Sequence, residues 1–166
     1  MILRGSRLLL RPMREEDVPR LSAIAAEPEV ARWWGDVPES ELRAKAAGED
    51  GAEALAIELD GDVVGLIQVY EHPDPQYRHA GIDLFLSSEA TGRGLGREAV
   101  GVLAAHLLDD RGHHRLTIDP AAENERAIRC YEAVGFRRVG IMRRYERGPD
   151  GRFHDGLLME LVREDQ

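Results

Sequence analysis

Asp119-Pro120-Ala121-Ala122-Glu123-Asn124-Glu125-Arg126-Ala127-Ile128-Arg129-Cys130-Tyr131-Glu132-Ala133-Val134-Gly135-Phe136 is the stretch whose reading decides the fold. Asn124 suits the position ahead of a helix. The pattern that follows predicts helix from Asn124 to Ala133, stopped by Gly135. Just upstream, Arg115 to Ile118 reads as a short buried strand. Before that, Leu95, Ala99, Val102, Leu103, His106 and Leu107 line one helical face. A glycine-rich turn and a strand from His79 to Leu86 precede this helix. Strand and helix therefore alternate twice across residues 79–134.

Working outward, Ala54 to Leu59 and Val63 to Tyr70 read as strands joined by the Asp60-Gly61 hairpin turn. Leu8-Leu9-Leu10 reads as a strand ending at Arg11-Pro12. The acids Glu15-Glu16-Asp17 then lead a helix carrying Val18, Leu21, Ile24 and Ala25. Pro28 is expected to end that helix, leaving Arg32-Trp33-Trp34-Gly35-Asp36 as a loop before a second helix from Glu39 to Ala47. Glu71 to Tyr77, polar with two prolines, reads as a loop. Past residue 136, Arg137 to Tyr145 and Phe153 to Val162 read as strands joined by Gly148-Pro149-Asp150-Gly151. Adjacent strands mixed with crossovers imply an α+β fold with a mixed sheet. With 166 residues and no repeat or linker, the chain is expected to be a single domain over 1–166.

Composition narrows the function. The net charge of −9 lacks the basic stripe of a nucleic-acid binder. An acidic surface either aids solubility or concentrates a cationic partner. The single cysteine, Cys130, excludes an internal disulfide and fits a reduced, cytoplasmic setting. Met1 to Arg11 lacks the unbroken apolar run of a signal peptide, and no stretch has the apolar length of a membrane helix. Neither membrane nor nucleic-acid partners are expected, and monomer and homodimer both stay open. No Cys, His and carboxylate spacing suggests a metal.

Thr91-Gly92-Arg93-Gly94-Leu95-Gly96 sits between a strand and an amphipathic helix. Glycine admits positive φ and close ligand approach, and free N–H groups at a helix start attract an anion. Phosphate binding is therefore expected, against the alternative of a plain tight loop. Gly94-Leu95-Gly96-Arg97-Glu98-Ala99 also fits the dinucleotide pattern G-x-G-x-x-A, with Asp119 about twenty residues on. That reading fails on context, because several strands and a polar loop precede the turn.

The chain resembles the GNAT acetyltransferases. Thr91 to Gly96 is similar to their R/Q-x-x-G-x-G/A loop, with Thr91 where the family usually has Arg or Gln. Asn124 to Phe136 is similar to their N-x-x-A-x-x-x-Y-x-x-x-G-F motif. Within the family it most resembles the aminoglycoside 6′-N-acetyltransferases, through Trp33-Trp34-Gly35, Gln68-Val69-Tyr70, Gly81-Ile82-Asp83, Thr117-Ile118-Asp119-Pro120 and Arg126 to Glu132. The same run also fits relatives that acylate protein N-termini or siderophore lysines.

The resemblance implies a GNAT fold, with a mixed, mostly antiparallel sheet flanked by helices. It implies acetyl-CoA as co-substrate and a small cationic amine as acceptor. It assigns cofactor binding to Leu84, Phe85, Leu86, Thr91, Gly92, Arg93, Gly94, Leu95, Gly96, Arg97, Asn124, Ala127 and Tyr131. Asp83 becomes the general base and Tyr131 the general acid toward the departing thiolate. Asp119, Trp33, Trp34, Asp36 and Tyr70 become acceptor-binding residues. Each has a plainer alternative. Asp83 could be a solvent-facing strand residue, Asp119 a turn residue, Tyr131 a hydrogen-bonded core tyrosine and Asn124 only a cap. Trp33 and Trp34 could simply anchor their loop. Cys130 has no basic partner and reads as a small hydrophobe rather than a nucleophile. His113-His114 reads as loop, and His154-Asp155 is a weak candidate for facing the acceptor.

Overall fold

The structure, a computed structural model, describes residues 1–164. Its strands are β1 (Leu3–Arg4), β2 (Leu8–Pro12), β3 (Glu53–Leu59), β4 (Asp62–Glu71), β5 (Ala80–Leu86), β6 (Arg115–Ile118), β7 (Arg137–Arg147) and β8 (Phe153–Val162). Its helices are α1 (Val18–Ala25), α2 (Pro28–Trp34), α3 (Glu39–Ala47), α4 (Leu95–Ala105) and α5 (Glu125–Val134). The strands form one sheet in the order β1-β2-β3-β4-β5-β6-β8-β7. Every neighbouring pair is antiparallel except β5 and β6. This is the mixed, mostly antiparallel α+β sheet expected.

Side chains alternate across a strand, and here the alternation splits the core in two. Leu55, Ile57, Ile67 and Val69 pack beneath Leu95, Ala99 and Leu103 of α4. Ala54 and Leu66 point the other way, into a second core with Leu21, Ile24 and Leu42 from α1 and α3. Asp60 (φ 52) and Gly61 (φ 87) both take positive φ, as a tight hairpin turn requires. Arg11 is buried and bridges Asp17 to Glu58, joining the turn into α1 to the sheet.

One expectation is corrected. Pro28 does not end a helix; it opens α2 in the first turn, where its missing N–H costs nothing. Arg32, Trp33 and Trp34 are therefore helical, not a loop. The helix stops at Gly35, φ +71. Also, α4 runs on through a wider turn from His106 to Asp110.

The feature that positions the site is a parting of strands. β5 and β6 pair only at Ala80–Leu116 and Gly81–Thr117. Beyond Gly81, β5 keeps β4 on one side and loses β6 on the other. The Leu84 carbonyl on this open edge accepts from the Trp34 indole at 3.1 Å, and Trp34 stacks edge-on against Phe85.

On its paired side, β5 approaches β4 closely at Gly65. A Cβ there would press into the backbone of Phe85 and Leu86. Gly65→Ala is expected to lower unfolding stability by about 1–3 kcal/mol, the usual range for overpacking. Equilibrium urea denaturation checks this; an unchanged midpoint would refute it.

Candidate active site

A groove of about 610 Å³ opens where β5 and β6 part. One bank is Leu84, Phe85 and Leu86 of β5; the other is Asn124, Ala127, Cys130 and Tyr131 at the start and inner face of α5. Thr91, Gly92, Gly94, Gly96 and Arg97 close one end. Gly92 and Gly94 both hold φ +76, and Gly94 caps α4. These are backbone angles that glycine takes without strain. They leave the first N–H groups of α4 without intrahelical partners, the usual anion-binding arrangement. Arg97, Arg126 and Arg129 bring guanidinium groups to the same groove.

This loop is braced from the N-terminus. The Glu98 carboxylate accepts from the backbone N–H groups of Arg7 (2.8 Å) and Leu8 (3.0 Å), from Arg7 Nε and from the Ser6 hydroxyl. Burial pushes the Glu98 carboxyl up, but these donors outweigh it and leave it below its ordinary pKa. Arg7 Nη1 also donates to the Arg93 carbonyl at 2.7 Å. The Arg93 side chain lies outside the groove, toward Arg20 and Glu89. Leu95 is in the core. Neither of these two residues lines the groove. Asn124 accepts from the Ala127 N–H at 3.3 Å, capping α5, and also lines the groove. Cys130 lines it too, with burial pushing its thiol up and Arg97 partly offsetting that.

A second cavity of about 620 Å³ adjoins the first. Asp83 stands on the α1–α3 face of β5, opposite Gln68 on β4. Asp119 follows β6 at the cavity's far side and accepts from the Tyr145 hydroxyl at 2.9 Å. Glu41, Lys45 and Glu146 join them, and Trp33 and Trp34 wall the opening. Water reaches Asp83 from the cavity while protein encloses its other sides. Burial and the nearby Asp119 charge push its pKa up to about 7, despite a 3.0 Å hydrogen bond from the Leu84 N–H. Burial also raises Asp119, with the Tyr145 hydrogen bond pulling the other way. Glu146 is raised by burial and by Asp119.

Tyr131 joins the two cavities and lines both. It is only 8% exposed. Burial, then the Asp83 charge, raise its pKa far above the ordinary phenol value, so it stays protonated across the working pH range.

Among the residues singled out from sequence, Asp83, Asp119, Trp33, Trp34 and Tyr131 meet in this second cavity. Trp34 does so mainly as an anchor, through Leu84 and Phe85. Asp36, exposed just past α2, and Tyr70, 50% exposed on β4, lie outside both linings. His154 pairs with Asp150 in an adjoining hollow beside Trp33. His113 is buried beneath Glu71, on neither lining. Lys45, Glu41, Tyr145 and Glu146 were not expected at the site. Lys45 carried one signal: it is the sole lysine of the chain, and it is buried against Asp50. Among the described residues, no group of three or more His, Cys, Asp or Glu side chains could hold a metal.

Comparison with known proteins gives a consistent picture. The family described as "Acetyltransferase (GNAT) domain" matches residues 7–137. Aminoglycoside N(6′)-acetyltransferase type 1 of Klebsiella pneumoniae is 33% identical over 154 residues, covering 80% of this chain and 75% of that protein. Spermidine N(1)-acetyltransferase of Escherichia coli K12 is 26% identical over 133 residues, covering 76% and 71% respectively. Among solved structures, the aminoglycoside acetyltransferase AAC(6′)-Ib with coenzyme A and kanamycin superposes with a TM-score of 0.77. It is 26% identical and covers 95% of each chain.

The raised Asp83 pKa has a signed consequence for stability. A folded value near 7, above the reference 3.8, gives a contribution present in full below about 3.8 and lost by the time pH has risen through about 7. Asp83→Asn cannot ionise. Its melting temperature relative to wild type should therefore rise between pH 5 and pH 8.5. Parallel melting profiles across that range would contradict the assignment.

Proposed function

This chain belongs to the GNAT acetyltransferases and is an acetyl-CoA-dependent N-acetyltransferase, and we propose that its acceptor is a small cationic amine, the 6′-amine of an aminoglycoside. The observation that carries this reading is the pair Asp83 and Asp119 in one acidic cavity, which meets the glycine-ended groove at Tyr131, with Trp33, Trp34, Leu84 and Asn124 also common to both. The residues of the groove fit coenzyme A. A Cβ at Gly92 would meet open space, so the loop backbone is free for a pyrophosphate, and Arg97, Arg126 and Arg129 are among the four arginines that line the groove, alongside Glu29, Glu123 and Glu125. Acetyl-CoA supplies the activated thioester.

The geometry supports the following roles. The N–H groups around Gly92 to Gly96 bind the pyrophosphate, and Asn124 and the open edge of β5 orient the arm between Leu84–Leu86 and α5. Asp119 and Glu146 hold the ammonium groups of the acceptor, with Trp33 as the apolar wall. An ammonium cannot attack, so a base must take its proton. Asp83, with its pKa near 7, is matched to that task at neutral pH. Tyr131, buried and protonated, donates to the departing sulfur. Because a thiol pKa of about 8.5 already makes the thiolate a fair leaving group, that donation need supply only a modest drive. The 33% identity to an aminoglycoside 6′-acetyltransferase favours the sugar acceptor; the spermidine enzyme at 26% keeps a linear polyamine as the comparison substrate.

Thiol release is to be measured with kanamycin, other 6′-amino aminoglycosides, spermidine and peptides with free N-termini. Turnover is expected on the 6′-amino compounds, with kcat/KM rising with pH through about 7. Asp83→Asn should cost about 10²–10⁴-fold, the range for a lost general base, and Tyr131→Phe should lower kcat with acetyl-CoA binding intact. Turnover confined to spermidine or peptides would reassign the acceptor. Silence on the whole panel would overturn the reading.

A further inference from the structure

β7 does not run straight to its end. Met142 pairs with Gly156, and the next pair is Glu146 with His154. Arg143, Arg144 and Tyr145 thus stand against the single residue Asp155. Extra residues on one strand bend it and redirect its side chains. Arg144 takes φ +48, a left-handed conformation that an arginine keeps only where its surroundings impose it. The imposing group is on β8: Asp155 Oδ1 accepts from the Arg144 N–H at 2.8 Å. Asp155 is itself anchored, because its carbonyl accepts from the Ala122 N–H at 2.9 Å. The bend is therefore tied to the turn that begins at Asp119.

Gly156 makes room for the result. A Cβ there would sit 3.0 Å from the Tyr145 ring and 3.3 Å from Met142. Tyr145 lies over this glycine and donates to Asp119 at 2.9 Å. Glu146, the next residue, lines the acidic cavity.

We propose that this bend is a positioning device for the acceptor: Asp155 holds Arg143–Tyr145 out of register so that Tyr145 orients the Asp119 carboxylate and Glu146 completes the acidic wall. The proposal rests on the reading of this cavity as the acceptor site. Tyr145 and Asp155 act through Asp119 and Glu146 as positioning residues. Asp119 shares its cavity with Asp83 from β5, Glu41 and Lys45 from α3, Tyr131 from α5 and Glu146 from β7. Three carboxylates oppose its charge and one ammonium favours it; the hydrogen bond from Tyr145 counters the burial that disfavours that charge and fixes the direction in which the carboxylate points. With one oxygen committed to Tyr145, the other is presented in one direction, which selects where a second positive group on the acceptor can sit.

The test is steady-state kinetics on the full chain with the amine that the wild-type protein turns over best among kanamycin, the other 6′-amino aminoglycosides and spermidine. Tyr145→Phe removes one oxygen from a half-exposed side chain, so folding is not at stake. It should raise the acceptor KM about tenfold or more while the KM for acetyl-CoA stays within about twofold. Asp155→Ala should shift the acceptor KM in the same direction. Asp155→Asn keeps an accepting oxygen and should recover most of the loss, which a purely steric role would not do. An acceptor KM unchanged in Tyr145→Phe, or equal losses in both Asp155 variants, would overturn the inference while leaving the acceptor reading in place. A wild-type protein silent on every amine would remove that reading and this inference with it.

Discussion

A parallel pair of strands that stays together for only two residue pairs leaves a gap inside an otherwise continuous sheet. Backbone groups at such a gap cannot simply be buried, since an unpaired N–H or C=O costs free energy comparable to a lost hydrogen bond. This protein meets the cost in two ways. The indole of Trp34 takes the Leu84 carbonyl, and the rest of the open edge faces a groove wide enough for a ligand to complete the pairing. The N-terminus of α4, Tyr131 and Asp83 all border the space that this gap opens. A β6 that paired with β5 along its full length would fill the groove with backbone.

The electrostatics answer the same geometry. The chain concentrates Asp83, Asp119, Glu41 and Glu146 about one hollow, and the Asp119 charge makes Asp83 and Glu146 harder to ionise. Separate environments then divide the labour, as with other carboxylate pairs. Asp119 is also pushed up by burial, but its phenol hydrogen bond pulls the other way. Asp83 has only the Leu84 N–H and a like charge nearby, and titrates near neutrality. On the proposed function, a cationic acceptor would relieve the repulsion among these carboxylates before any shape is matched.

What was legible in the sequence was local. The Asn124 cap, the Gly135 stop, the glycine turn at 92–96 and the Asp60-Gly61 hairpin are each decided by a few neighbouring residues, and all appear where the pattern puts them. Pro28 shows the limit of that rule, since proline both ends a helix and begins one, and only packing of Val30 and Trp34 against the second core chooses between them. Lys45, Tyr145 and Glu146 were out of reach for a different reason. They arrive at the site through the burial of one face of α3 and a bend in β7 held by a residue on another strand. No spacing along the chain encodes a contact of that kind. Tyr70 errs in the opposite sense: its alternation is right, but it stands too far along β4 to reach the cavity.

The brace between Glu98 and the turn at Ser6–Leu8 has a consequence for how the chain reaches its working form. Its partners are about ninety residues apart, so loop closure must be met before any bond repays it. On the ribosome, the first strands emerge well before the carboxylate that will hold them. Closure of this brace therefore waits for residue 98, later than the β2–β3 pairing that holds the amino-terminal hairpin in the sheet.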